Sequence, residues 1–537
     1  MPARSPPCVY ERSRGAASAP LPAGYVRHRP ETTVLYEVVQ QNFHTLLAEA
    51  RERSADGVGL PRFVEREFER YLACGLPCHG FARIWCPSCR HEFLVAFSCR
   101  VRGICPSCGA RRMHDTAAHL VDRVLPRRVP VRQWVLTFPP PLRLALAYDS
   151  SLLSAALTIF IRALFAFQRR RARSLGLPTT RSTTSGTVSF VQRFGSALQL
   201  TPHVHTLLPD GVFVPDPDDP DGRPRFHRIA PPSDEEVAAI LARVARRVLA
   251  LCRRRGRLPQ TDCEPEADTS PPPLLSSWSA EAVAVPARAP LPGRRPVSLG
   301  LPPGPRTARL QGFSLHADLV VHENDREGLE RLCRYGLRPA LSLERLSWAA
   351  DGRLRYRLKR TFSDGTTEVV LEPLALMRRL AALVPPPRTN QIRYHGLFAA
   401  RARGRAALTG RRSPASGAQS PCVVEPAVAS PDVPSRTVEL SGLGSEPPPD
   451  PGRPRRLPWA DLLRRVHRLD VLVCERCQGP LRVLAYLTDP LVTAAILQHL
   501  GLPSTPPPLA PARGPPQQEI DLDLWPDGYL ADLPAAE

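Results

Sequence analysis

The chain has 537 residues, a formal net charge of +21 and a pI near 10.1, which is length for two to four domains and a charge that favours a polyanionic partner. No apolar run read along the sequence approaches the ~20 residues that span a bilayer, and Met1 to Pro20 lacks the apolar centre of a signal peptide. A membrane protein is therefore not expected, and a cytoplasmic one is, with the 14 cysteines reduced or metal-bound rather than paired as disulfides.

Residues 1–30 read as a disordered N-terminus. Val34, Leu35, Val38, Val39, Phe43, Leu46 and Leu47 then recur at helical spacing within 31–55, and a second short helix is expected over 61–73. Seven cysteines fall between Cys74 and Cys108, so 31–120 reads as a helical and metal-binding domain. Val131 to Phe138 reads as a strand stopped by Pro139-Pro140-Pro141, and 150–175 as an apolar helix with a basic end. Thr187–Phe190, His203–Leu208 and Val212–Val214 read as strands. The Asp210-Gly211 turn between the last two predicts a hairpin carrying the histidines.

Asp234 to Arg255 is predicted as a helix opened by a Ser233 cap, with Glu236 closing a capping box. Residues 260–309 are rich in Pro, Arg and Ser and read as an irregular insertion within a larger domain over 130–400. Phe313 to Val321 reads as one half-buried strand, Asp325 to Leu337 as a helix, and 353–371 as a hairpin. A disordered linker is expected over 401–457, a small module with Cys474 and Cys477 over 459–502, and a disordered acidic tail over 503–537.

Three constellations carry chemistry. Cys86-Pro-Ser-Cys89 and Cys105-Pro-Ser-Cys108 are paired knuckles, each offering two thiolates from one tight turn to a tetrahedral Zn2+. Cys99 lies between them; Cys74 and either Cys78 or His79 precede them, and His114 or His119 follows. The lone Cys474/Cys477 pair has His467 as its nearest further ligand. Second, His203 and His205 alternate on a strand and so share a face, which makes half of a site for Mg2+ or Mn2+. Gln192 or Asp210 is the candidate for a third, oxygen ligand. Third, Tyr335 is a candidate nucleophile, with Arg331, Arg334 and Arg338 on one helical stripe able to hold a DNA backbone. Tyr394 competes with it. Lys359, the only lysine of the chain, is expected on a basic strand.

At these motifs the chain resembles the rolling-circle transposases of the insertion-sequence-91 family and their common-region relatives, within the HUH endonuclease superfamily. The likeness rests on the run from Phe190 to Leu198 into His203/His205, on Leu332-Cys333-Arg334-Tyr335, on Arg393-Tyr394-His395-Gly396 and on the N-terminal cysteines. It implies an α+β fold: a central antiparallel sheet with flanking helices, preceded by a zinc-binding domain with Cys74, His79, Cys86, Cys89, Cys99, Cys105 and Cys108, and followed by a small C-terminal module. The histidines should stand on a central strand facing the tyrosine helix. The implied activity is metal-dependent nicking and joining of single-stranded element ends and target through a 5′-phosphotyrosine, on the nucleoid of a bacterium. Arg331 stands four residues before Tyr335, so the chain resembles the single-tyrosine members. The rival reading is a non-catalytic, zinc-dependent DNA-binding protein. The sequence does not fix the oligomeric state.

Overall fold

The computed structural model describes residues 27–514, apart from 55, 178–183, 217, 220–222, 259–303, 363–364, 403–404, 409–460, 462–464 and 466–470. Most of the stretches expected to be disordered, and His467, lie outside the described residues. In chain order the elements are α1 (Val34–Arg53), α2 (Arg62–Leu72), β1 (Phe81–Trp85), β2 (Glu92–Ala96), α3 (Pro106–Arg123), β3 (Val131–Thr137), α4 (Pro140–Tyr148) and α5 (Ser150–Ser174). There follow β4 (Gly186–Phe194), β5 (Leu200–Pro209), β6 (Gly211–Val214), β7 (Arg225–Arg228), α6 (Asp234–Arg254), β8 (Thr307–Leu310), β9 (Phe313–His316) and β10 (Val320–Val321). The chain continues with α7 (Arg326–Leu337), β11 (Leu346–Trp348), β12 (Leu354–Arg357), β13 (Glu368–Leu371), α8 (Pro373–Leu383), β14 (Ile392–Gly396), β15 (Arg482–Leu487) and α9 (Pro490–His499). Helices and antiparallel sheets are mixed, so the fold is α+β.

Two compact units result, each described by itself. The smaller comprises Met1–Tyr36, Ala73–Cys99 and Pro458–Pro508. Its sheet runs β15-β1-β2, all antiparallel, with Phe81 opposite Ala96 on one side and Leu487 on the other. Strand β15 thus completes a sheet begun about 400 residues earlier in the chain, with Phe81 paired to Leu487.

The larger unit comprises Glu37–Leu72, Arg100–Leu457 and Leu509–Glu537. Its sheet has the order β14-β4-β5-β3-β9-β8, with β10 also paired to β3, and every pairing is antiparallel. Side chains alternate across it. Trp134, Leu136, Val191, Val204 and Leu208 face one way and pack with α4, α5 and α6. Val131, Val188, Phe190 and Leu207 face the other way and pack with α3 and α7. Helix α6 has the expected capping box between Ser233 and Glu236.

Several expectations are corrected. Strand β6 does not fold back on the histidine strand but pairs with β7. The reason is occupancy: β5 already has β4 on one edge and β3 on the other, so no backbone groups remain for a hairpin partner. The strand expected over 313–321 is broken into β9 and β10. Strand β12 ends at Arg357, which leaves Lys359 in the loop beyond it. Helix α5 is long and apolar enough, by length and composition, to cross a bilayer, with an 18-residue window of mean hydropathy 1.8. It contains no unbroken apolar run of that length, because Ser154, Thr158 and Arg162 interrupt the pattern. Its apolar face, from Leu152 to Phe167, lies in the core.

Candidate functional site

The site begins with an irregularity. The β4–β5 ladder shifts register between Gln192 and Phe194, opposite Thr201-Pro202. Proline cannot donate to a ladder, so its place inside a strand is a bulge, and a bulge re-aims the side chains beside it. His203, the next residue, sits opposite Gln192 on β4 and Thr137 on β3, while His205 sits opposite Phe190 and Val135. Two residues apart, the rings share the face that packs with α7. Their centroids are 4.9 Å apart.

Helix α7 brings the phenol to that face. It starts at an Asp325 cap, whose carboxylate accepts from the Gly328 amide at 2.6 Å, and stops at Arg338, whose extended ψ of 147° is what the following Pro339 requires. The helix approaches the sheet closely at Gly336, where a Cβ would lie 2.5 Å from the Phe190 ring. Gln192 ties it down, donating from Nε2 to the carbonyls of Tyr335 at 2.8 Å and Gly336 at 3.0 Å. Tyr335 lies edge-on to His205, with centroids 5.6 Å apart and planes at 89°, and its side chain is 38% exposed. The ring thus meets the histidine pair while remaining partly accessible to solvent.

Two cations bracket the phenol. The Arg338 guanidinium is 4.6 Å from the Tyr335 centroid and 5.3 Å from that of Phe194, and the Lys359 ammonium is 4.9 Å from Tyr335. The three-stranded sheet β11-β12-β13 carries Lys359 there. It is anchored by buried Tyr356, whose hydroxyl accepts from Arg345 at 2.5 Å. Burial, then Arg338, Arg360 and Arg345, lower the Lys359 pKa from its ordinary value. Burial likewise lowers His203, and carries His205 down to about 3, with the His203 and Arg338 charges adding in the same direction. Both imidazoles are neutral at physiological pH, which a metal ligand must be.

The donors fit a divalent cation. His203 donates from Nδ1 to the Thr201 carbonyl at 2.8 Å, which leaves Nε2 as a bare acceptor. The Nε2 of His205 and the Oε1 of Gln192 are buried without a hydrogen-bond partner. Two nitrogens and one amide oxygen suit Mn2+ or Mg2+. Asp210, the alternative oxygen ligand, is occupied: Arg132 donates to both its oxygens, at 2.9 and 2.6 Å. It also lies five strand residues beyond His205, about 16 Å along β5.

Other expected residues are placed differently. Tyr394, on β14 opposite Val188, packs against the same hydrophobic core as α3, with Arg405 6.0 Å from its ring. The arginines of α7 are not alike. Arg331 is exposed and faces Asp325 at 3.8 Å and Glu327 at 3.7 Å, Arg334 is half-buried, and Arg338 packs on the phenol.

Of the expected zinc ligands, Cys86 and Cys89 in the smaller unit meet Cys474 and Cys477, with all four sulfurs within 4.8 Å of one another. The C-terminal pair is therefore not a lone one. The Cys89 amide lowers the Cys86 thiol to about 6. His79 lies in the short turn Pro77–His79, outside this group. In the same unit the Cys99 amide donates to Cys74 Sγ at 3.4 Å. In the larger unit the Cys108 amide donates to Cys105 Sγ at 3.5 Å, at the start of α3. Gln133, Gly336 and the pairing of Cys86 with Cys477 and of Cys89 with Cys474 escaped the sequence reading. Only the Tyr-Gly pair before Arg-Pro hinted at the close approach of α7.

Comparison with known families agrees with this layout. Residues 42–138 match the family described as "Transposase zinc-binding domain", and residues 186–406 match the family described as "Putative transposase". No curated protein and no solved structure matches the chain. With the two domains in that order, the chain is an insertion-sequence-91-type transposase carrying a zinc-binding domain toward its N-terminus.

Proposed function

We propose that this transposase nicks single-stranded DNA at element ends and rejoins it to a target, using Tyr335 as nucleophile. The observation that carries the reading is the convergence of His203, His205, Gln192 and the Tyr335 ring on one face of the sheet. The phenol oxygen attacks phosphorus, forming the Oη–P bond as the P–O3′ bond breaks. The phenol proton is lost, and the departing 3′-oxygen leaves as a hydroxyl after gaining one. A 5′-phosphotyrosine remains, and a later 3′-hydroxyl reverses the step on a new strand, releasing the phenol without ATP. Mg2+ or Mn2+ held by His203, His205 and Gln192 Oε1 would polarise the scissile phosphate. Arg338 and Lys359, as cations, stabilise negative charge as it develops on the phenol oxygen, and the phenol proton passes to solvent water. Exposed Arg331 and half-buried Arg334 of α7 can hold the DNA backbone.

A domain over 130–400 holds this chemistry. The zinc-binding domain recognises the element end, and its Cys-x-x-Cys knuckles supply thiolates to structural Zn2+. The protein acts in the bacterial cytoplasm.

A single-stranded end oligonucleotide incubated with the protein and Mn2+ tests the proposal. An adduct stable to SDS should form, disappear with EDTA and disappear in Tyr335→Phe. A gel shift without any adduct would make the protein a zinc-dependent DNA binder instead.

A further inference from the structure

The match to the zinc-binding domain ends at residue 138, so it assigns nothing to Cys474 or Cys477. Yet the two Cys-x-x-Cys turns of the smaller unit are built alike. In the first, the Arg90 amide donates back to the Cys86 carbonyl at 2.9 Å, and Arg90 has a φ of +57°. In the second, the Gln478 amide donates back to the Cys474 carbonyl at 2.8 Å, and Gln478 has a φ of +59°. In each, the residue after the second cysteine takes the left-handed conformation, a cost that non-glycine residues bear only where the surroundings impose it. Each turn thereby points both sulfurs the same way. The turns face each other across 3.4 Å from Cys86 Sγ to Cys477 Sγ and 3.5 Å from Cys89 Sγ to Cys474 Sγ. Tetrahedral Zn2+ with bonds near 2.3 Å separates its sulfurs by about 3.8 Å. Four thiols this close, with no disulfide among them, match that spacing better than they match ordinary packing.

We propose that Cys86, Cys89, Cys474 and Cys477 bind one structural Zn2+, so that the C-terminal Cys-x-x-Cys is the second half of the zinc-binding domain. The neighbouring contacts agree. Strand β15 continues the β1–β2 sheet, and the Ser88 side chain lies where a Cβ on Gly479 would fall, at 2.7 Å. The consequence is an order of assembly: the metal site cannot close until the whole catalytic stretch has been synthesised and Cys477 has followed it. A chain truncated before the C-terminal pair keeps Tyr335 and both histidines but carries half a zinc site.

Metal analysis and cysteine alkylation of the purified full-length chain test this. Cys474→Ser/Cys477→Ser should lose one zinc per chain, whereas Cys477→His should keep it, because a Cys3His set also binds zinc. In the unaltered protein Cys86, Cys89, Cys474 and Cys477 should resist alkylation together and become reactive together when a chelator is added, a result independent of whether the double variant folds. Unchanged zinc in the double variant would overturn the proposal. So would alkylation of Cys474 and Cys477 in zinc-loaded protein that still protects Cys86 and Cys89, or a site purified with iron.

Discussion

The Tyr335 ring stands perpendicular to the His205 imidazole, at 89° and 5.6 Å between centroids. In the proposed mechanism a phosphate gripped beside His205 Nε2 would be attacked by the phenol oxygen, so a change that moves either ring should reduce reaction.

The orientation of His205 depends on Gln133. The Gln133 amide nitrogen lies 3.2 Å from His205 Nδ1, in a bond whose direction follows the imidazole tautomer. The opposite amide orientation fills the same space and presents Oε1 to an Nδ1 proton, baring Nε2 for the metal. Gln133→Glu, which can only accept, should keep or raise Mn2+ affinity. Gln133→Met should lower it by about 10–100-fold. Calorimetric titration with Mn2+ reads both, and equal affinities across the three proteins would remove Gln133 from the site.

Gly336→Ala should displace the tyrosine helix. The new Cβ would fall 2.5 Å from the ring of Phe190, which is buried and cannot yield. Overpacking of this kind costs about 1–3 kcal/mol, and the Gln192 bonds to α7 would lengthen. Urea denaturation should show the loss and adduct yield should fall with it. An alanine variant of unchanged stability would mean that α7 has more room than its contacts indicate.

Asp210→Asn should destabilise without touching the metal. It leaves Arg132, 2% exposed, with a half-satisfied fork, and breaking such a buried pair costs about 3–5 kcal/mol. Folded protein should still bind Mn2+ as before; weakened binding in that fraction would return Asp210 to the list of ligands.

Acid should weaken the metal-free fold through His205. Above its ordinary value near 6.5 the imidazole is neutral folded and unfolded, and contributes nothing. Below it the unfolded chain takes up a proton that the folded ring, held down to about 3, refuses, so stability falls as pH drops through that window. Between pH 6.5 and 5 the loss is about 2 kcal/mol. His205→Asn in EDTA should show a shallower decline over the same range, as read by denaturation midpoints.

Much of this site was legible because local rules and tertiary packing agree there. The His203/His205 alternation marks a strand whatever its neighbours, and Asp325 with Pro339 bounds the tyrosine helix. The flanking partners were not legible. Whether β6 returns to β5 depends on which edges β3 and β4 have taken, and no local signal records that. The choice of Tyr335 over Tyr394 rests on which ring meets the histidines, and both motifs read alike along the chain. Lys359 belongs to the phenol only because β11-β12-β13 folds over α7's C-terminal end. The partnership of Cys89 with Cys474 spans 385 residues, a separation at which cysteine spacing carries no information.

Peptide mapping of the trapped protein–DNA complex tests the central claim most directly. After Mn2+-dependent reaction with a single-stranded element end and proteolysis, the nucleotide-bearing peptide should contain Tyr335, linked through a 5′-phosphate. A nucleotide on Tyr394, or no covalent peptide from a protein that holds Mn2+ and binds the strand, would contradict it.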